Sequence, residues 1–93
     1  MMAPVRIAME MAQLRDENLA SRAQAKLIAR EIERYAGARS VHLDFCGITE
    51  IGQGFADQLF RVFANAHPDI DLRPINCNQS ILAMIRRAIR TTR

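Results

Sequence analysis

Apolar residues change their spacing along this chain in a way that predicts alternating strands and helices. Val41, Leu43 and Phe45 alternate with His42 and Asp44, the period of a strand, and Gly47 breaks the run. From Gly54 the apolar set Phe55, Leu59, Phe60, Val62, Phe63 and Ala66 recurs at helical spacing, while Asp57, Arg61 and Asn65 fall on the other face. Its three phenylalanines are therefore expected in the core. Upstream, Ser21 followed by Gln24 fits a capping box, and Leu27, Ile28, Ile32, Tyr35 and Ala36 form one helical stripe ended by Gly37. Downstream, His67 and Pro68 stop the central helix and Ile70, Leu72 and Ile75 supply a short strand, in which Pro74 argues for an edge position or a bulge. Asn78 can cap a last helix whose apolar face is Ile81, Leu82, Ile85, Ala88 and Ile89 and whose opposite face is almost entirely arginine. At the start of the chain, 5–9 fits an edge strand opened by Pro4, but the Met- and Ala-rich run to Leu14 fits a helix equally well. The structure of 1–18 is left open by its pattern.

Strand and helix alternating with short links imply an α/β fold, a mostly parallel sheet of three to four strands with right-handed crossovers and three main helices. The carboxyl ends of the two clearest strands then lie on one edge. Cys46, Gly47, Gly52, Gln53, Gly54, Asn76, Asn78 and Gln79 gather there, where open α/β sheets bind their ligands or partners. Gly52 and Gly54 flank Gln53 at the helix entry, so backbone N–H groups and the positive end of the helix dipole face outward beside one polar side chain. With Thr49 from the preceding turn and Asp57 from the first helical turn, this corner is the candidate partner-binding site.

Composition narrows the picture. At 93 residues and 49% hydrophobic content the chain reads as a single domain, 1–93, with one small core. About 60 to 65% of the unfolded surface would be buried at that size. No run approaches the roughly 20 apolar residues of a membrane span, and the opening residues lack the regions of a signal peptide. A cytoplasmic location with no membrane association is expected by default. In that setting Cys46 and Cys77 are expected as reduced, buried thiols rather than a disulfide framework.

Enzymatic chemistry finds little support among the residues. His42 sits among strand residues and His67 precedes a proline, both ordinary surface or capping positions. Cys46 and Cys77 lack the C-x-x-C or H-x-x-H spacing of metal sites. Asp44 is expected to hold the turn that follows it through its side chain, and Asp57 to complement the helix dipole, rather than to act as paired carboxylates. Phosphate-loop and dinucleotide fingerprints do not occur, and no cofactor is implied. The chain is read as a non-enzyme.

The competing reading comes from charge. Arg86, Arg87, Arg90 and Arg93 lie within the last eight residues, and the chain carries a net +3 with a pI near 9.5. Such a basic patch could contact phosphates, as in a nucleic-acid-binding accessory protein, or an acidic partner protein. Only 5% of residues are aromatic and the core claims most of them, which leaves few platforms for base stacking. Exposed edge strands in so small a sheet also invite pairing between copies, so a homo-oligomer is a third expectation.

The segment 41–63 resembles the central motif of STAS-type domains, the anti-sigma-factor-antagonist fold, with Asp44, Gly47, Ile48 and Ile51 matching its pattern. It is more similar still to the STAS-like family DUF4325, in which a G-Q-x-F-A-D-x-x-F-R-V-F run precedes H-P-x-I and then P-I-N. Those pieces are 52–63, 67–70 and 74–76, and the resemblance spans about residues 21–90. It implies a small STAS-like fold and a regulatory protein-interaction module, whose partner would be a regulator of the histidine-kinase-like ATP-binding class. Antagonist-type STAS domains carry a phosphorylatable serine at the start of this helix, where Gln53 stands here and Gly54 follows. Glutamine has no hydroxyl, so a phosphate switch is not expected at that position. Thr49 and Ser80 are the remaining acceptors.

Overall fold

Three parallel strands pair in chain order in the computed structural model, which describes residues 5–9, 22–35 and 39–90. Strand β1 is Val5–Ala8, β2 is Ser40–Asp44 and β3 is Asp71–Ile75; helix α1 is Arg22–Glu33 and α3 is Gln79–Arg90. Between β2 and β3 runs the central helix α2, residues 53–66. With order β1-β2-β3, the right-handed rule for parallel connections puts both connecting helices on one face of the sheet, and the contacts between α1 and α2 agree. Helix α2 packs against α1 on one side and α3 on the other, as the middle of a three-helix layer.

Register explains which side chains meet that layer. Val5, Val41 and Leu72 stand abreast, then Ile7, Leu43 and Pro74, all on the face toward the helices. Ile7, Val41, Leu43 and Phe45 are buried, together with Phe55, Leu59, Phe60 and Phe63 of α2. All four phenylalanines are core. The alternate positions Arg6, His42 and Arg73 form a row across the second face, followed by Ala8, Asp44 and Ile75. Val5–Ala8 of the segment 5–9 is thus a strand rather than a helix, with Met9 in the turn that follows, and Pro74 sits on an edge strand, where its missing N–H costs no ladder bond.

Three expectations need correction. In α2 the turn Gln58–Phe63 is a π-helix between the α-helical pieces Gln53–Asp57 and Ala64–Ala66. Residues bonded i→i+5 advance less about the axis than the 3.6-per-turn α-helix. Through this turn Phe63 stays on the core face, whereas Val62, 37% exposed, and Ala66 face solvent. In α1 the buried face is Ala25, Ile28 and Ile32, whereas Leu27 and Tyr35, assigned to the stripe, are 47% and 45% exposed. In α3 Ile81, Ile85 and Ala88 are buried, Leu82 is half-buried and Ile89 faces solvent, because α3 packs on one neighbouring helix rather than into a full core. Ser21, Ala36 and Gly37, read as cap, stripe and stop of α1, lie outside the described residues.

Candidate functional site

The edge at the carboxyl ends of the strands is organised around Asp44. Its side chain is 2% exposed at the end of β2. Oδ1 accepts from Asn76 Nδ2 and from the backbone N–H of Cys46, each at 2.9 Å, and Oδ2 accepts from Arg6 Nε at 2.9 Å and from Arg6 Nη2. The Asn76 and Cys46 hydrogen bonds, then the Arg6 guanidinium, hold the carboxyl down to about 2 against the opposing effect of burial. Asp44 therefore closes the turn after β2, as the sequence predicts, and also joins all three strands.

Two backbone positions make this possible. Gly47 has φ 85°, a region that favours glycine, and Asn76 has φ 56°, which asparagine tolerates better than most residues. The left-handed turn at Asn76 brings its amide back over Asp44. Two residues on, Asn78 Oδ1 accepts from the N–H of Ile81 at 2.8 Å, the expected cap of α3, while Nδ2 donates to the carbonyl of Thr49 at 2.8 Å. The β2–α2 and β3–α3 loops are thus joined. Gly47, Thr49, Asn76, Asn78 and Gln79 are exposed on the resulting edge, and Gly52 and Gly54 are half-buried at the entry of α2. Gly52 is the N-cap without a side-chain cap, and Gln53, the first helical residue, is exposed.

Asp57 departs from its expected place on this surface. It is buried, and its carboxylate is shared by two guanidiniums. Arg61 donates through Nε to Oδ1 and through Nη2 to Oδ2 at 2.8 Å; Arg22, from α1, donates through Nη1 to Oδ2 at 2.7 Å. Hydrogen bonds from Arg61 and then Arg22 hold its carboxyl well below the usual carboxylate range, and the same pairing raises Arg61. The packing of α1 on α2 turns the first helical turn inward, so a residue expected to face a partner ties two helices together.

Around this pair opens a groove of about 580 Å³ lined by Arg22, Gln53, Asp57, Arg61, Met84, Arg87, Ala88 and Arg90. Gln53 and two members of the C-terminal basic patch, Arg87 and Arg90, therefore share one hollow. Arg86 is exposed outside it, and Arg93 lies beyond the described residues. The sequence reading missed the contribution of Arg22 and Arg61. The i,i+4 spacing of Asp57 and Arg61 is a visible signal for their pairing; nothing local to Arg22 reveals its role.

The remaining candidates sit in structural surroundings. His67 stacks on Phe63 with ring centroids 4.2 Å apart, and its Nε2 lies 3.5 Å from Glu33 Oε2. His42 occupies the polar row of the sheet's second face. Cys46 is exposed in the turn past the end of β2, contrary to its expected burial, whereas Cys77 is half-buried with its thiol pushed up by burial and by the Asp44 charge. Among the described residues no helix is long and apolar enough to cross a membrane.

Compared with known families, residues 24–82 match the model of a STAS-like domain of unknown function, DUF4325. No curated protein and no solved structure matches the chain.

Proposed function

The chain belongs to the STAS-like DUF4325 family, and from that premise we propose that it is a non-enzymatic docking module that binds a regulatory protein through the corner where α2 begins. The observation that supports this most directly is the exposed edge formed by Gly47, Thr49, Gln53, Asn76, Asn78 and Gln79, with its two loops joined by the Asn78–Thr49 hydrogen bond. A surface preorganised in this way loses little conformational entropy on binding. The partner class implied by the wider STAS resemblance is a regulator with a histidine-kinase-like ATP-binding domain. Gln53 carries no hydroxyl, so this contact is constitutive at the position where antagonist-type relatives are switched by phosphate.

Affinity capture from native cell extract, with wild type and Gln53→Arg compared by mass spectrometry, tests the reading. Gln53 is exposed, so the variant keeps the wild-type melting temperature. The expected outcome is a protein recovered by wild type and depleted at least tenfold by the variant. Equal recovery by both removes this corner from the interface.

A further inference from the structure

We infer that Cys46 and Cys77 form a modification site, joined by a low-molecular-weight disulfide oxidant into a reversible intramolecular disulfide that ties the β2–α2 loop to the β3–α3 loop. They are the two cysteines of the chain, and both are free thiols in the structure. No spacing in the sequence pairs them; the sheet does. Strands β2 and β3 are adjacent and parallel with Asp44 opposite Ile75, and each cysteine follows its member of that register pair by two residues. Adjacent strands run about 4.8 Å apart, inside the Cα separation of roughly 4.4 to 6.8 Å that a disulfide spans.

Two oxygens hold the chain segments together beyond the last register pair. Asp44 Oδ1 accepts from the N–H of Cys46 and from Nδ2 of Asn76, the residue before Cys77, each at 2.9 Å. The Ile75 carbonyl accepts from the N–H of Phe45, the residue before Cys46, at 3.0 Å and from the Cys77 thiol at 3.7 Å. Each oxygen therefore binds one group at or beside Cys46 and one at or beside Cys77. Burial and then the Asp44 charge push the Cys77 thiol up, so its sulfur lies in the field of the carboxylate that holds the Cys46 backbone.

Exposed Cys46 is the point of entry. Its thiolate attacks one sulfur of glutathione disulfide, forming a mixed disulfide and releasing a glutathione thiolate, which takes up the proton that Cys46 gave to water. Cys77 gives up its weak hydrogen bond to Ile75, loses its proton and attacks the Cys46 sulfur. The bond from Cys46 to glutathione breaks as the bond from Cys46 to Cys77 forms, and a second glutathione leaves. In sum the chain loses two electrons and two protons, and glutathione disulfide gains both. Little Cys77 is thiolate at neutral pH, but proximity and the greater intrinsic nucleophilicity of a more basic thiolate offset this. The product adds a covalent link to the two loops that Asn78 and Thr49 already join by a hydrogen bond.

The inference goes beyond the docking reading, and its test needs no partner protein. The purified, reduced full chain is equilibrated in glutathione buffers of rising disulfide fraction, folded and in concentrated urea, alongside Cys46→Ser and Cys77→Ser. Intact mass and non-reducing peptide mapping read the products. Folded wild type is expected to lose two hydrogens per chain as a monomer linked between Cys46 and Cys77, with an equilibrium constant at least about tenfold above that of the urea-unfolded chain. Cys77→Ser should stop at the mixed disulfide on Cys46, Cys46→Ser should react several-fold more slowly, and dithiothreitol should restore the reduced mass of every form. Melting temperatures of the reduced serine variants within a few degrees of wild type confirm that they fold. Folded wild type that accumulates glutathione adducts without closing the bond, or that links only between copies, overturns the site. An equilibrium constant no greater folded than in urea also overturns it, since the fold then does nothing to bring the thiols together.

Discussion

Asp44 and Asp57 are both buried carboxylates with pKa values held down by hydrogen bonds, yet their surroundings differ in charge. Asp44 is held by an asparagine amide, a backbone N–H and one arginine, so its cluster is nearly balanced and its donors bind strands and loops together. Asp57 is held by two arginines in a groove bordered by two more. The first arrangement latches the sheet edge; the second ties helix α1 to helix α2 through one shared carboxylate. Two carboxylates of similar burial thus serve two different joints, one among the strands and loops of the sheet edge and one between helices.

The largest effect that can break this comparison is the loss of the latch. Asp44→Ala leaves the Asn76 amide and the Cys46 N–H without their acceptor and Arg6 without its counter-charge, and is expected to cost about 3 kcal/mol. Urea unfolding measures it, and a cost below about 1 kcal/mol would show that the latch is dispensable. Asp57→Ala should cost less, about 1 to 2 kcal/mol, since its arginines have side chains 53% and 35% exposed and can return to water.

A smaller effect sharpens the electrostatic half of the comparison. Asp44 ionises at a lower pH folded than unfolded, so its stabilisation is fully present above the ordinary carboxylate value of 3.8 and is lost as pH falls through about 2. The stability difference between wild type and Asp44→Asn should therefore shrink on acidification from about pH 4 to 2. A constant difference across that window would mean that the carboxylate charge contributes nothing. The smallest effect lies in the cysteines. Exposed Cys46 should react with a thiol reagent at pH 8 several-fold faster than half-buried Cys77. Asp44→Asn should raise the Cys77 rate by removing a nearby negative charge.

Much of the fold was legible because it rests on local regularity. Alternation at Val41, Leu43 and Phe45, the Asn78 cap and Pro74 on an edge strand each follow from chemistry within a few residues, and the structure shows all three. The errors fall where a helix face is selected by its neighbours. Leu27, Val62 and Ile89 satisfy helical periodicity yet stand exposed, because each helix is covered only along the faces its neighbours reach. The candidate corner was legible from the glycines flanking Gln53, but the inward turn of Asp57 was not.

The order of elements from α1 onward, the parallel α/β class, the turn held by Asp44 and the arginine content of the last helix follow from the sequence alone, since each depends on backbone preference or on hydrophobic period, whereas the strand at 5–8 was left open by its pattern. The tertiary structure decided which charges meet. Arg22 and Asp57 are 35 positions apart in the chain, and Arg6 and Asp44 are 38 apart. Local spacing carries no information about contacts of that range, because they exist only once the crossovers stack α1, α2 and α3 on one face of the sheet.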